Sequence, residues 1–239
     1  TKDDFDRFAM AANDPNIANA RTPGRDQNDA ALKKYEAPAN GNIGFGTAIA
    51  AGSGAVVLHT VAIEALRSNL LGDPAEMRVA VYLPPGYEAA RGRRYPAIYL
   101  LHGWLGDIDQ FGVSEGKPGF QGMQLASTMD EAIARGTIRD TIVVVPEARN
   151  AYFGSFYANS TVTGDWEDAI VRELVPWIDA RYRTVAAPRA RGIAGFSMGG
   201  YGALRLGFKY PNLFAAVTGN SPALIDIEGF STGSNLVMF

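Results

Sequence analysis

The sequence predicts an α/β protein with a mostly parallel central sheet, and three observations support this. Apolar runs of strand length, such as Tyr95–Leu101 and Thr141–Val145, alternate along the chain with amphipathic helical segments, as in βαβ units. These runs are continuously apolar, which is typical of strands buried on both faces. The glycine-rich stretch Gly195–Gly200 joins a further apolar run to a helical segment. Helices are therefore expected on both faces of the sheet.

Composition bounds the class of protein. The chain has 239 residues, of which 47% are hydrophobic and 20% charged, enough for one domain with a sizeable core. A net charge of −3 disfavours nucleic acid and anionic membrane surfaces as partners. The absence of cysteine excludes disulfides, thiolate metal sites and a cysteine nucleophile. No apolar run approaches the roughly 18 residues that span a bilayer. A start at Thr1 is compatible with export, so a secreted or periplasmic location is slightly favoured over a cytoplasmic one.

Residues 1–54 differ from the rest and are predicted to be an N-terminal arm and linker. Lys2–Ala12 and Asp29–Glu36 are short helix candidates separated by proline and glycine. Asn40–Gly54 is rich in glycine and alanine, as linkers are. The domain itself is predicted to occupy residues 55–239.

Two lead-in strands open the domain. Val56–Leu66 alternates between apolar and polar residues and is rich in β-branched side chains. Arg78–Leu83 repeats the alternation until Pro84–Tyr87 ends it. We expect these strands to pair antiparallel, ahead of the first buried strand, Tyr95–Leu101.

Three helices and a last strand follow. Gly122–Arg135 and Trp166–Tyr182 carry apolar residues at helical spacing. The charges at the two ends of the second helix match the helix dipole, and Pro176 inside it can kink it. A third helix runs from Met198 to about Tyr210, and Phe214–Thr218 is predicted to be another buried strand.

Gly195-Phe196-Ser197-Met198-Gly199 has the Gly-x-Ser-x-Gly spacing of a nucleophile elbow. The serine of such an elbow sits at a strained apex, and side chains two residues away would collide, which explains Gly195 and Gly199. The Met198 N–H would lie at a helix N-terminus, where it can donate to a developing oxyanion. A glycine-rich turn with an incidental serine is the alternative. The position between a strand and a helix favours Ser197 as a nucleophile.

The loop Leu100–Gly106 directly follows the first buried strand. In hydrolases with a nucleophile elbow, the second oxyanion donor comes from the loop at this place in the chain, and we assign it to the backbone of Trp104. Gly103 allows the loop to approach the nucleophile. We interpret His102 as a supporting residue that fixes the loop by hydrogen bonding, because a triad histidine usually follows the serine in the chain.

Five segments carry a family resemblance, and they are Tyr82–Tyr87, Tyr95–Gly103, Ser155–Ser160, Glu173–Tyr182 and Gly195–Ala203. Together they resemble the esterase D group of α/β-hydrolases, which includes S-formylglutathione hydrolases, feruloyl and acetylxylan esterases, and mycobacterial mycolyltransferases. The resemblance implies an α/β-hydrolase fold and ester hydrolysis through an acyl-enzyme on Ser197. It also implies that Ser155, Tyr157 and Asn159 border the substrate pocket, for which an ordinary polar surface loop is the alternative.

The sequence departs from this family at the catalytic base. The triad histidine and its carboxylate should follow Ser197, but the only histidines are His59 and His102. Asp226 could serve as an acid, although a surface turn is the simpler interpretation. The C-terminal strands that would carry the acid and base are not recognisable. We therefore expect the sequence to be a fragment of a longer esterase.

Two other interpretations stay open at this point, a non-catalytic ligand-binding relative and an enzyme that uses His102 as its base. Within enzymes, acyl transfer is the alternative to hydrolysis. We expect a small-molecule or polysaccharide-linked ester as the substrate and no cofactor, because two separated histidines do not form a metal site. An apolar edge strand at 214–218 also predicts self-association.

Overall fold

A computed structural model describes residues 53–114 and 116–223 of the chain. Six strands form one sheet in the order β1-β2-β4-β3-β7-β8. They are β1 Ala55–Ala62, β2 Glu76–Leu83, β3 Ala97–Leu101, β4 Ile142–Pro146, β7 Arg191–Phe196 and β8 Ala216–Asn220. The pairs β1–β2 and β2–β4 are antiparallel, whereas β4, β3, β7 and β8 run parallel. The predicted α/β architecture and the two antiparallel lead-in strands are confirmed.

Helices cover both faces of this sheet. Helix α1 is Leu125–Ala134, and α3 is Met198–Lys209. Helix α2 has three parts, Trp166–Asp168, a π-helical segment Ala169–Leu174, and Val175–Arg181. Short 3-10 turns occur at Glu64–Leu66, Ile108–Phe111, Phe120–Gly122 and Pro188–Ala190. A small antiparallel ribbon, β5 Asn159–Ser160 and β6 Gly164–Asp165, completes the described secondary structure.

The core consists of two apolar layers separated by the sheet. Alternate strand residues such as Tyr99 and Val144 pack with buried residues of α2 and α3, including Ile170 and Leu206. Their neighbours on the other face, such as Ile98, pack with α1 and the turn before it. Both faces are therefore buried, which explains why the parallel strands are continuously apolar.

Several element boundaries differ from the prediction for local reasons. The first strand ends at Ala62, and Glu64–Leu66 forms a 3-10 turn whose first N–H groups are accepted by Glu173. Helix α1 begins at Leu125 rather than at 122, because Gln121 adopts a φ of 55° and the chain turns there. The last strand begins at Ala216, since the preceding residues still complete the turn after α3.

Pro176 is accommodated without a break in α2. Proline has no N–H and its ring clashes with the carbonyl four residues earlier. The π-helical segment Ala169–Leu174 directly precedes the proline turn, and wider turns of this kind relieve such a clash.

Some predictions fall outside the described residues, namely the helix candidates Lys2–Ala12 and Asp29–Glu36, most of the linker, and Asp226. The domain boundary at residues 54 and 55 stays a prediction. Over the described part of the chain, none of the helices combines the length and the apolarity that crossing a bilayer requires.

Candidate active site

Three loops meet at the carboxyl edge of the parallel strands. The chain leaves β3 at Leu101, β4 at Pro146 and β7 at Phe196, and these three strands are adjacent in the sheet. Parallel strands end at the same edge, which is where α/β sheets bind ligands. The loops after these strands contain Ser197, the stretch 102–106 and the stretch 147–158.

Ser197 occupies a strained turn between β7 and α3. Its φ of 54° and ψ of −117° lie outside the regions that ordinary residues favour. The turn is held on both sides, because Ser197 N–H donates to Asn220 O at 3.0 Å and Ser197 O accepts from Ala223 N–H at 3.0 Å. A Cβ at Gly195 would overlap the backbone of Gly199, so the turn requires glycine there.

The loop after β3 lies against the serine. A Cβ built on Gly103 would be 3.4 Å from the Cβ of Ser197. Gly103 N–H donates to Gln110 Oε1 at 2.8 Å, and Leu105 N–H donates to Phe153 O at 3.1 Å. Within the part of the chain that the structure describes, the intervening Trp104 N–H has no hydrogen-bond partner. The loop thus leaves one N–H uncommitted beside Ser197.

Met198 supplies the other N–H group next to the serine. It is the first residue of α3, and the first N–H groups of a helix have no partner within the helix. Its side chain is fully buried, and its sulfur accepts a hydrogen bond from Phe156 N–H at 3.4 Å. The helix dipole adds partial positive charge at this point. Trp104 and Met198 therefore bring two backbone donors to the neighbourhood of Ser197.

His102 is fully buried beneath the loop, and both of its ring nitrogens are engaged. Nδ1 lies 2.8 Å from Gly103 O, and Nε2 accepts from Ala148 N–H at 2.8 Å, so the ring is neutral with its proton on Nδ1. Burial lowers the pKa of His102 and keeps it neutral. These two bonds join the loop after β3 to the loop after β4. Neither nitrogen is available to take a proton from Ser197.

His59 lies far from the serine. It belongs to β1, and four strand spacings of about 4.8 Å separate β1 from β7, or roughly 19 Å. Its Nε2 is 2.5 Å from Tyr182 Oη, and its ring packs edge-on against Trp177. Burial and then the charge of Arg181 lower its pKa to about 4. The structure thus brings neither histidine into reach of Ser197 as a base.

The three predicted pocket residues occupy different environments. Ser155 is 6% exposed and its hydroxyl accepts from Tyr157 N–H at 3.1 Å. Tyr157 is fully buried, and its hydroxyl donates to His102 O at 3.1 Å. Asn159 lies on the surface in β5, where its side chain accepts from Asp168 N–H. Tyr157 therefore contacts the loop of His102 and Ser155 contacts Tyr157, both of them buried, whereas Asn159 faces solvent.

The exposed apolar side chains of Trp104, Leu105 and Phe153 lie on the loops after β3 and β4, and among them the sequence analysis identified only the backbone of Trp104. Trp104 donates through its indole to Tyr152 O at 2.8 Å. Arg149 donates to Leu105 O at 3.0 Å and lies 4.9 Å from the ring centre of Phe153. Loop residues of this kind follow no periodic pattern, so no sequence signal identifies them. Trp104, Leu105 and Phe153 form an apolar rim at the carboxyl edge of the sheet.

Comparison with known families gives one match over most of the domain. The model of the family described as "Putative esterase" matches residues 69–229, which is more than half of the chain. The matched region contains β2 and all later described elements, with Ser197, Trp104 and Met198.

Individual relatives agree with this match. Esterase Rv1288 of Mycobacterium tuberculosis is 35% identical over 147 residues, 60% of this chain and 28% of that protein. An endo-1,4-beta-xylanase/feruloyl esterase of Xylanibacter ruminicola is 34% identical over 137 residues, 56% of this chain and 18% of that protein. The matching part of the chain thus spans less than a third of either relative's length.

Solved structures show the same fold. A ferulic acid esterase superposes with a TM-score of 0.56 at 26% identity, covering 68% of this chain and 57% of the other. An S-formylglutathione hydrolase from Agrobacterium tumefaciens superposes with a TM-score of 0.50 at 20% identity, covering 70% and 57% of the two chains. The sheet and helices described above are therefore those of an α/β-hydrolase.

Proposed function

Because the chain belongs to this esterase family, we propose that it is the nucleophile-bearing part of a serine carboxylesterase that works through an acyl-enzyme on Ser197. One observation carries the proposal. The strained serine lies beside residues 103–106, in which only the Trp104 N–H has no partner among the described residues, and the serine directly precedes a helix whose first N–H belongs to Met198. Two such donors suit the negative oxygen of a tetrahedral intermediate.

The proposed reaction follows from these positions. Ser197 Oγ attacks the carbonyl carbon of the ester, and its proton passes to a base. Negative charge develops on the carbonyl oxygen, where the Trp104 and Met198 N–H groups donate to it. When the intermediate collapses, the bond to the alcohol breaks, the alcohol leaves with a proton, and the acyl group stays on Ser197. Water then attacks the acyl carbon, the bond to Ser197 Oγ breaks, and the acid leaves while Ser197 regains its proton.

The base in this proposal is neither of the two histidines of the sequence. His102 has both ring nitrogens committed, and His59 lies four strands away. The proton must therefore pass to a group outside these side chains, in a longer protein or in solution. An oxyanion hole and substrate binding can together supply roughly 10³-fold acceleration over water without a complete triad. Slow acylation of Ser197 is thus the activity expected of this chain on its own.

The proposed substrate is a carboxylic ester of a small alcohol or of a polysaccharide. The names of the relatives support this class, since they include a feruloyl esterase joined to a xylanase and an acetyl esterase of Caldicellulosiruptor saccharolyticus. The apolar rim formed by Trp104, Leu105 and Phe153 offers surface to an apolar acyl group. We also propose self-association through the sheet edge at β8, because among the described strands β8 pairs only with β7.

The test is the reaction of the chain with p-nitrophenyl acetate in 2,6-lutidine buffer, a hindered amine that supplies an external base without attacking the ester itself. We expect a burst of p-nitrophenolate of about one equivalent and an acetyl group on the peptide that contains Ser197. Ser197→Ala should abolish both signals. Ser127→Ala, a serine on the exposed side of α1 whose hydroxyl contacts only its own helix, is the matched control and should react as the wild type does. Acetylation elsewhere with none at Ser197 would contradict the proposal.

A further inference from the structure

The loop after β3 has nearly all of its peptide groups committed. Gly106 N–H donates to Gly103 O at 3.1 Å, and Leu105 N–H donates to Phe153 O. Gly103 O also receives Nδ1 of His102, and Leu105 O receives Arg149. Two carbonyls of this loop are thus each held by one side chain.

Only one described side chain accepts a hydrogen bond from an N–H group of this loop. Among the described hydrogen bonds of residues 103–106, the only side chain that accepts from a loop N–H is Gln110, which takes Gly103 N–H at 2.8 Å. Gln110 stands on the 3-10 turn Ile108–Phe111, and that turn is capped by the side chain of Asp107, which accepts from Asp109 N–H. The amide of Gln110 is therefore presented by a fixed element.

The loop folds closely around the amide oxygen. A Cβ on Gly103 would be 3.3 Å from Gln110 Oε1, and a Cβ on Gly106 would overlap it. Both positions are glycine, which lets the backbone pass on either side of the oxygen. The same glycine freedom means that the Gly103 peptide could rotate if its N–H lost its acceptor. Gly103 also lies next to Ser197, so such a rotation would place a second, competing N–H at the serine.

We propose that Gln110 is a positioning residue of the oxyanion hole. Its amide oxygen takes Gly103 N–H out of use and fixes the next peptide, so that Trp104 N–H alone points from this loop to the serine. The inference rests on the proposed esterase function, because it assigns a role to Gln110 within that site. Gln110 does not touch the substrate. It acts through the orientation of the Trp104 peptide.

The experiment compares Gln110→Ala, which removes the acceptor, with Gln110→Glu, which keeps an oxygen at the same place in a side chain of the same length. For each variant, the rate of the acylation burst is measured at a series of p-nitrophenyl acetate concentrations. The fit gives the limiting acylation rate and the half-saturating ester concentration separately. Hydrogen exchange measured on the same proteins reports the protection of the amides at 103–106. Gln124→Ala, a glutamine whose side chain makes no capping bond at the start of α1, is the matched control.

We expect Gln110→Ala to lower the limiting acylation rate by about tenfold to a hundredfold, the effect of misplacing a catalytic group by up to about 1 Å. The half-saturating ester concentration should stay within about twofold of the wild-type value, because Gln110 does not contact the ester. Exchange at Gly103 should speed up. Gln110→Glu should recover the protection of Gly103, because its carboxylate still accepts the N–H, and Gln124→Ala should change neither the rate nor the protection. If Gln110→Ala does not fold, Gln110→Met removes the oxygen and keeps the volume of the side chain.

Two results would overturn the inference. One is a wild-type acylation rate in a variant without the acceptor, and the other is a Gln110→Glu variant in which the Gly103 amide exchanges as fast as in Gln110→Ala. If wild-type Ser197 takes up no acetyl group, the proposed function fails by itself. Hydrogen exchange then decides the role of Gln110, and unchanged protection of Gly103 in Gln110→Ala refutes it.

Discussion

Backbone strain is concentrated in the loops of the candidate site. Seven non-glycine residues among those described have a positive φ, and five of them, Leu105, Phe153, Phe156, Tyr157 and Ser197, belong to the loops after β3, β4 and β7. Such conformations cost about 1–3 kcal/mol each and persist only where the surroundings fix them. Here the surroundings are the hydrogen bonds that tie the loops together. This concentration agrees with a site that holds its donors in place before the substrate arrives.

His102 provides a test of this arrangement at the level of one side chain. Replacement of His102 by alanine leaves Ala148 N–H without its acceptor, whereas Gly103 O keeps the hydrogen bond from Gly106 N–H. An unsatisfied buried group costs about 1–3 kcal/mol, so we expect the free energy of unfolding to fall by about 1–3 kcal/mol. Chemical denaturation of the wild type and the variant measures it. Unchanged stability together with complete loss of Ser197 acylation would instead identify His102 as the base.

At the same scale, the sequence predicts the elbow but not its supports. Gly195 and Gly199 follow from the Gly-x-Ser-x-Gly spacing, because the collision they avoid is with backbone only a few residues away or in the adjacent strand. The roles of Gln110 and Tyr157 depend on contacts with loops that are distant in the chain and carry no repeat. No pattern in the sequence indicates which polar side chain reaches which peptide group.

Among the elements, α3 is unusual in its glycine content. Four of its 12 residues are glycine, although each costs about 1 kcal/mol relative to alanine in a helix. The structure gives the reason, since a Cβ at any of them would meet a neighbour. Gly199 faces the backbone of Leu101, Gly200 faces Asn220 O, and Gly207 faces Val217. The helix that begins at the nucleophile therefore packs closely against the sheet.

Gly202→Ala tests this close packing. On propensity alone, the substitution should stabilise a helix by up to about 1 kcal/mol. The new Cβ, however, would lie 2.5 Å from Cδ2 of Tyr157, a fully buried ring whose hydroxyl is bonded to His102 O. Since overpacking typically costs about 1–3 kcal/mol, we expect net destabilisation by urea unfolding. A gain in stability would show that the Tyr157 ring yields and that α3 is held less tightly than described.

The elements that the sequence predicts are those with a strong local pattern. The four parallel strands, both lead-in strands and the three helices all occur, with ends displaced by a few residues. The sequence predicts strand through Glu64–Leu66, because the alternation of β1 continues there. The structure has a 3-10 turn instead, since the carboxylate of Glu173 accepts its first N–H groups and redirects the backbone. The ribbon β5–β6 has two residues per strand, too few for any periodicity.

Across the whole molecule, one buried carboxylate joins the two helices that pack on the same face of the sheet. The side chain of Glu167 in α2 is 2% exposed and is bonded to Lys209, Tyr210 and Arg205 at the end of α3. Burial alone would raise its pKa, but the hydrogen bonds from these three groups outweigh it and lower the pKa to about 2. The contribution of Glu167 to stability is thus complete above about pH 4.5 and is lost as the pH falls toward 2.

His59 loses its contribution to stability mostly at higher pH than Glu167 does. Its pKa is lowered from 6.5 to about 4 in the folded protein, so the unfolded chain binds the proton more readily. Stability from neutral His59 is therefore complete above pH 6.5 and falls as the pH drops through this range to about 4. The shift corresponds to roughly 3 kcal/mol. We expect urea unfolding at a series of pH values to show most of this loss before that of Glu167 begins.

The variant His59→Gln separates the two contributions. Glutamine does not titrate, so the slope of the free energy of unfolding between pH 6.5 and 4 should become shallower, while the slope below about pH 4 should persist because Glu167 is untouched. His102 is the only other histidine and its pKa is also lowered, so some slope should remain above pH 4. An equal slope of the free energy of unfolding against pH in the variant and the wild type would show that His59 does not titrate as its burial between β1 and α2 requires. The acid sensitivity between pH 6.5 and 4 would then belong to His102 beneath the loop after β3.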